Sequence, residues 1–93
     1  MQMELSKHAG TRQRQRGISD IAVDVVLRFG RTDFHKGAEI YSLDRRAKRK
    51  AKKYLQAAYS PLEKELSQVY VVVCEGVVIT VARKNRRSKR DRG

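Results

Sequence analysis

The chain has 93 residues, with 22 Lys and Arg against 10 Asp and Glu, a formal net charge of +12 and 40% hydrophobic content. Such a length holds one small domain with a modest core, and no stretch approaches the roughly 20 apolar residues that span a bilayer. A single cysteine, Cys74, excludes an internal disulfide framework, and the chain has no zinc-spaced His/Cys cluster, P-loop, H-E-x-x-H motif or glycine-rich nucleotide fingerprint, so no metal or cofactor is expected.

From Ser6 to Arg16 a polar, arginine-rich, proline-free run predicts a helix that Gly17 ends in a left-handed cap. Ser19 is placed to cap a second helix with Asp20 in its first turn and Ile21, Val25 and Phe29 as its apolar stripe, up to Gly30. Two short strands, about 31–34 and 39–43, follow across His35-Lys36-Gly37. Residues 44–58 turn helical again, with Ala47, Ala51, Leu55 and Ala58 on one face. Ser60-Pro61-Leu62-Glu63 reads as a capping box starting a short helical turn to about Leu66.

Two β-branched runs, 69–74 and 77–82, joined by Glu75-Gly76, predict a hairpin in which Cys74 faces Val77, Val72 faces Ile79 and Tyr70 faces Val81. Val73 then faces Val78, and Val71 faces Thr80. Both faces are apolar, so helices should cover one and a further element or partner the other. Cys74 is expected to be buried packing. The fold class is thus α+β: two N-terminal helices on a four-stranded antiparallel sheet, with a basic helical insertion over 44–67 before the last hairpin. That single domain, 1–83, is followed by a basic tail over 84–93 that is expected to be disordered.

The positive charge is concentrated. Residues 44–65 carry eight basic and three acidic side chains and residues 66–93 seven and two, whereas the first 43 carry seven and five. A field of this sign draws polyanions, and nucleic acid is the default partner. Arg45, Arg46, Lys48, Arg49, Lys50, Lys52 and Lys53, with Lys84, Arg86 and Arg87 of the tail, are candidates for phosphate contacts that read no sequence. The competing reading of such a run is a solvated face. The chain start has no apolar run of signal-peptide length, so a reducing, cytoplasmic setting without membrane attachment is expected.

One segment suits catalysis. His8 lies four residues before Arg12 and eight before Arg16, which places the three on one helical face. An imidazole moves protons near neutral pH, and guanidinium forks hold a phosphate and the charge that grows on it. These groups suffice for metal-independent cleavage of RNA, in which the ribose 2′-hydroxyl attacks its own phosphorus. That chemistry favours RNA over DNA. Arg83 leaves the last strand where a sheet can aim it into the same groove. Against this, a lone histidine more often bonds backbone or water, His35 reads as an exposed turn residue, Thr80 as a β-former filling a sheet face and Tyr70 as an aromatic core residue.

The string His8-Ala9-x-x-Arg12-x-x-x-Arg16-Gly17-Ile18-Ser19, followed by Val25-Val26-Leu27, a strand around Tyr41 and a terminal Val-x-Thr-Val hairpin, resembles the small bacterial domain-of-unknown-function family numbered 4258. That family is distantly similar to toxins of the BrnT and RelE kind. The resemblance implies an α+β domain that cleaves RNA without metal and is silenced by a partner antitoxin. It places His8, Arg12 and Arg16 in the family block and Arg83 where such toxins often carry a basic catalytic residue. The insertion from about Asp44 to Ser67 and the basic tail depart from the pattern. Three functions follow: a toxin-like endoribonuclease, a non-catalytic nucleic-acid-binding accessory protein using helix 45–53 and the tail, or a module whose apolar sheet face docks a protein.

Overall fold

The computed structural model describes residues 4–84. In chain order the elements are β1 (Glu4–Leu5), α1 (Lys7–Gln15), α2 (Asp20–Phe29), β2 (Arg31–His35), β3 (Ala38–Ser42), α3 (Arg45–Leu55), a 3-10 turn (Gln56–Ala58), α4 (Tyr59–Gln68), β4 (Val69–Cys74) and β5 (Val77–Arg83). The expected tail lies, from residue 85 onward, outside the described residues.

Local chemistry sets the helix starts. The Ser6 hydroxyl accepts from the Ala9 N–H at 3.0 Å, and Ser19 does the same for Ala22 at 3.2 Å, so each serine satisfies a first-turn donor. Gly17, at φ 65°, makes the reversal between the two helices. The inward face of α2 is Ala22, Val23, Val25 and Val26 rather than the expected Ile21, Val25, Phe29 row. Ile21 stays 43% exposed and Phe29 is only partly buried. At about 3.6 residues per turn the buried set is centred further round the helix than the expected row, which leaves Ile21 outside it.

Both hairpins turn on two residues with positive φ: Lys36 and Gly37 at 48° and 79°, and Glu75 and Gly76 at 51° and 80°. Turns of that hand match the natural twist of the strands they join. His35 is therefore the last residue of β2, paired with Ala38, and not a turn residue. The β4–β5 register begins as expected, with Cys74 opposite Val77 and Val73 opposite Val78. It then shifts at a bulge, so Val72 faces Thr80, Val71 faces Val81 and Tyr70 faces Ala82. The extra residue lets Val78 and Val81 both enter the core and leaves Ile79 37% exposed. Strict alternation from Val78 would have turned Val81 outward.

The sheet order is β1-β5-β4-β3-β2. Four strands are antiparallel, as the sequence implies; the two-residue β1 adds a parallel edge on β5, anchored by the Ser6 N–H donating to the Val78 carbonyl at 2.9 Å. Helix α1 packs on β5, α2 on β4 and β3, and α3 and α4 on α2. One core joins Ala9, Ile18, Val26, Leu43, Ala51, Leu66 and the inward valines of β4 and β5. The insertion thus extends the helical layer beside α2. The other sheet face, with Ile40, Tyr70, Val72, Cys74 and Val77 half-buried, carries no helix among the described residues. Cys74 sits at the end of β4 with its thiol 3.9 Å from the Gly37 carbonyl, half-buried rather than enclosed mid-sheet.

The insertion departs from its expected form in two places. Helix α3 ends where Gln56 takes φ 53°, so Ala47 and Ala51 are buried as expected but Ala58 falls in the 3-10 turn and is exposed. Helix α4 starts at Tyr59, before the expected capping box, and runs to Gln68. Ser60 lies inside it and no side chain caps it, because the 3-10 turn feeds directly into its first turn. Pro61 is accommodated in that turn, where backbone N–H groups have no helical acceptor. Among the described residues no helix is long and apolar enough to cross a membrane.

Candidate nucleic-acid interface

Helix α3, Arg45-Arg46-Ala47-Lys48-Arg49-Lys50-Ala51-Lys52-Lys53-Tyr54-Leu55, is held by a narrow seam. The Asp44 carboxylate accepts from the Ala47 N–H at 2.8 Å and starts the helix, while Ala47 and Ala51 sit against the core with Leu55 beside them. Small residues bring the helix close and leave most of its circumference in water. Of its seven cations only Lys48 is half-buried; Arg45, Arg46, Arg49, Lys50, Lys52 and Lys53 are exposed.

This helix is electrostatically costly to itself. Four like-charged pairs stand at i, i+4 (45/49, 46/50, 48/52 and 49/53), each unfavourable by roughly 0.2–0.5 kcal/mol in an isolated helix. Arg45 and Arg46 also occupy the first turn, where the helix dipole favours anions. Among the described residues the ion pairs are Asp24–Arg28 at 3.7 Å and Arg31–Asp33 at 3.3 Å, and neither includes a cation of α3. A segment that breaks local electrostatic rules without internal compensation suits an external anion.

Depressions flank this helix. A shallow one of about 410 Å³ runs across Arg46, Arg49, Lys50, Lys52 and Lys53. Another of about 410 Å³ lies between α3 and the end of α2, lined by Phe29, Gly30, Arg31, Asp44, Arg46 and Lys50. A further one, about 640 Å³, lies between α3 and α4 and brings Lys48 to Glu63, Lys64 and Lys84. Lys84 is fixed there by its N–H, which donates to the Gln68 carbonyl at 2.6 Å. Arg86 and Arg87 lie outside the described residues.

The expected catalytic group is distributed along α1. Arg16 and Arg83 meet where the end of α1 crosses β5: Arg16 Nη1 donates to the Val81 carbonyl at 2.9 Å, and Arg83 Nη1 donates to the Arg16 carbonyl. Arg83 Nη2 also reaches the Gly17 carbonyl at 3.5 Å. These guanidinium groups close a helix end and a strand edge. Arg12 is exposed one turn earlier. His8 is exposed near the other end of α1, about 12 Å along the helix axis from Arg16 at 1.5 Å per residue.

Two polar contacts that join distant segments had no strong sequence signal. Gln13, buried on α1, donates to the Ile18 carbonyl at 3.1 Å and to Asp20 Oδ1 at 2.6 Å, fixing the α1–α2 turn. Glu65 of α4 accepts from the Ser19 N–H and hydroxyl, both at 2.9 Å, and ties the insertion to the start of α2. Spacing cannot show a carboxylate 46 residues away. Aromatic residues also border α3: the Tyr54 ring lies 5.2 Å from Phe29 at 53°, with the Arg28 guanidinium 5.7 Å from its centroid. Among the described residues no group of three His, Cys, Asp or Glu side chains could hold a metal ion. Comparison of the chain with protein-family models, curated proteins and solved structures finds no match.

Proposed function

We propose that this protein binds nucleic acid through α3, gripping the phosphate backbone without reading base sequence. The observation that carries this reading is the set of six exposed cations on a helix that, among the described residues, enters neither ion pair. Lys48 and Lys84 extend the basic surface into the groove beside α4. Cleavage by His8 and Arg12 is the rival reading. It is favoured by the exposure of both side chains on α1, with Arg12 one turn before the Arg16–Arg83 junction, and it would make RNA the substrate.

The test follows binding and integrity of labelled RNA in excess EDTA over a range of salt, for wild type, His8→Ala and Arg49→Gln/Lys52→Gln/Lys53→Gln. The expected result is intact RNA and steeply salt-dependent binding. Each phosphate that the triple variant no longer neutralises should lower the log–log salt slope by about 0.7 on a single strand. His8→Ala should bind as wild type does. Salt-independent binding, or a triple variant with an unchanged slope, would overturn the reading. Cleavage by wild type that His8→Ala abolishes would replace it with a nuclease.

A further inference from the structure

We infer that Tyr54 is a stacking platform for an unpaired nucleobase, so that α3 takes single-stranded rather than duplex nucleic acid; this rests on the nucleic-acid reading above. Tyr54 closes the basic helix and is 60% exposed, although a hydroxyphenyl ring in the last turn could fold onto the core. It is held outward instead. Phe29 meets the ring at a tilted angle from one side, and Arg28 brings its guanidinium within cation–π reach. The ring is therefore fixed before any ligand arrives, which reduces the ordering cost of binding.

The cations around it are placed to hold a backbone. Arg46, Lys50 and Tyr54 stand at i, i+4 and i+8, about 6 Å apart along the axis, so a strand following the helix meets two phosphate donors and then the ring. The depression of about 410 Å³ between α3 and the end of α2 runs along the same side, with Arg31 on its far wall. In a duplex the bases are stacked on each other, and a ring on the outside of a helix cannot lie flat on one unless it is flipped out. Single strands offer both faces, and aromatic rings interleaved with cations are how proteins take them without sequence preference.

The experiment compares wild type, Tyr54→Phe and Tyr54→Leu for binding to a labelled oligouridylate of about 12 nucleotides, within the usual range of single-strand site sizes, and to an RNA duplex of equal length. Wild type should prefer the single strand. Leucine keeps an apolar contact with Phe29 but has no π face, so Tyr54→Leu should lose about tenfold on the single strand and nothing on the duplex. Tyr54→Phe should stay within about twofold of wild type, since the π face remains. In wild type, the Tyr54 ring protons should shift upfield in NMR spectra as oligouridylate is added, a readout that needs no variant to fold. Unchanged ring protons, or equal losses of Tyr54→Leu on both RNAs, would overturn the stacking role and leave the phosphate grip standing. If wild type binds neither RNA, the nucleic-acid reading falls and the stacking role falls with it.

Discussion

Arg16 and Arg83 resemble catalytic cations in sequence, yet both spend donors on main-chain carbonyls, and removing those bonds has a measurable cost. Arg16→Met deletes a charged donor to the Val81 carbonyl while keeping much of the aliphatic stem. Bonds to charged groups contribute about 1.5–3 kcal/mol where water is excluded, and the Arg16 side chain is largely exposed, so about 1.5 kcal/mol is expected. Arg83→Met removes donors from the last carbonyls of α1 in a wetter setting and also a cation from a helix C-terminus, together about 1 kcal/mol. The acceptors are backbone oxygens that each single variant leaves in place. The double variant should therefore be near additive, about 2.5 kcal/mol less stable than wild type. For a chain of this size that is a fall in Tm of about 10–20 °C. Urea unfolding followed by far-UV circular dichroism, without nucleic acid, measures it. Wild-type midpoints for both single variants would refute the structural role, and a coupling beyond about 1 kcal/mol would refute the claim that the two bonds act separately.

Other changes test different parts of the molecule. Glu65→Ala strips Ser19 of its acceptor at the start of α2 and should cost about 2 kcal/mol, read from the urea midpoint; an unchanged midpoint would mean that the clamp is not formed in solution. Gly30→Ala would set a methyl group 2.3 Å from the Val26 carbonyl oxygen, so the α2–β2 junction must shift, at a cost of at least about 2 kcal/mol in the same assay. Gln56→Gly should stabilise the chain by about 1 kcal/mol, because φ 53° with ψ −121° strains any residue bearing a Cβ. The phenol of Tyr41 titrates above its ordinary value through burial and the adjacent Glu39, and that of Tyr59 through burial and Glu63. The folded state holds these protons longer, so stability is fully present below pH 10 and falls as pH rises through the raised values. Tyr41→Phe/Tyr59→Phe should flatten that alkaline limb in unfolding curves taken from about pH 9 to 11.

The sequence was most legible where a single residue settles a local contest. Ser6 and Ser19 announce helix starts because a side-chain oxygen there satisfies a donor that would otherwise have none. Lys36-Gly37 and Glu75-Gly76 announce hairpins because their backbone must take positive φ. Residues whose role depends on distant partners were opaque. Glu63 has capping spacing, but Glu65 is the carboxylate that caps, and it caps a different helix. Strand β1 is two residues long and exists only because β5 offers it an edge. At the candidate interface the basic character of α3 was plain in composition, whereas the company of Tyr54 was not, since Phe29 and Arg28 reach it only through packing of α2 on α3. Arg16 and Arg83 meet through main-chain carbonyls, which composition does not show.

The bulge in β5 gives this hairpin an asymmetric tolerance to changes of length. Ile79 has no partner of its own on β4, since Val73 pairs with Val78 and Val72 with Thr80. Deleting it would close those pairs into a regular ladder, with Val78 and Val81 still directed at the core. The cost would fall on the local bend that the bulge gives β5, since Val81 and Arg83 would keep their partners Val71 and Val69. Inserting one residue after Thr80 acts oppositely. It would reverse every later side chain and present Val81 and Arg83 to the helix-free face. The strand therefore holds a spare residue: it can be shortened by one at Ile79 with its facing intact, but it cannot be lengthened by one beyond Thr80.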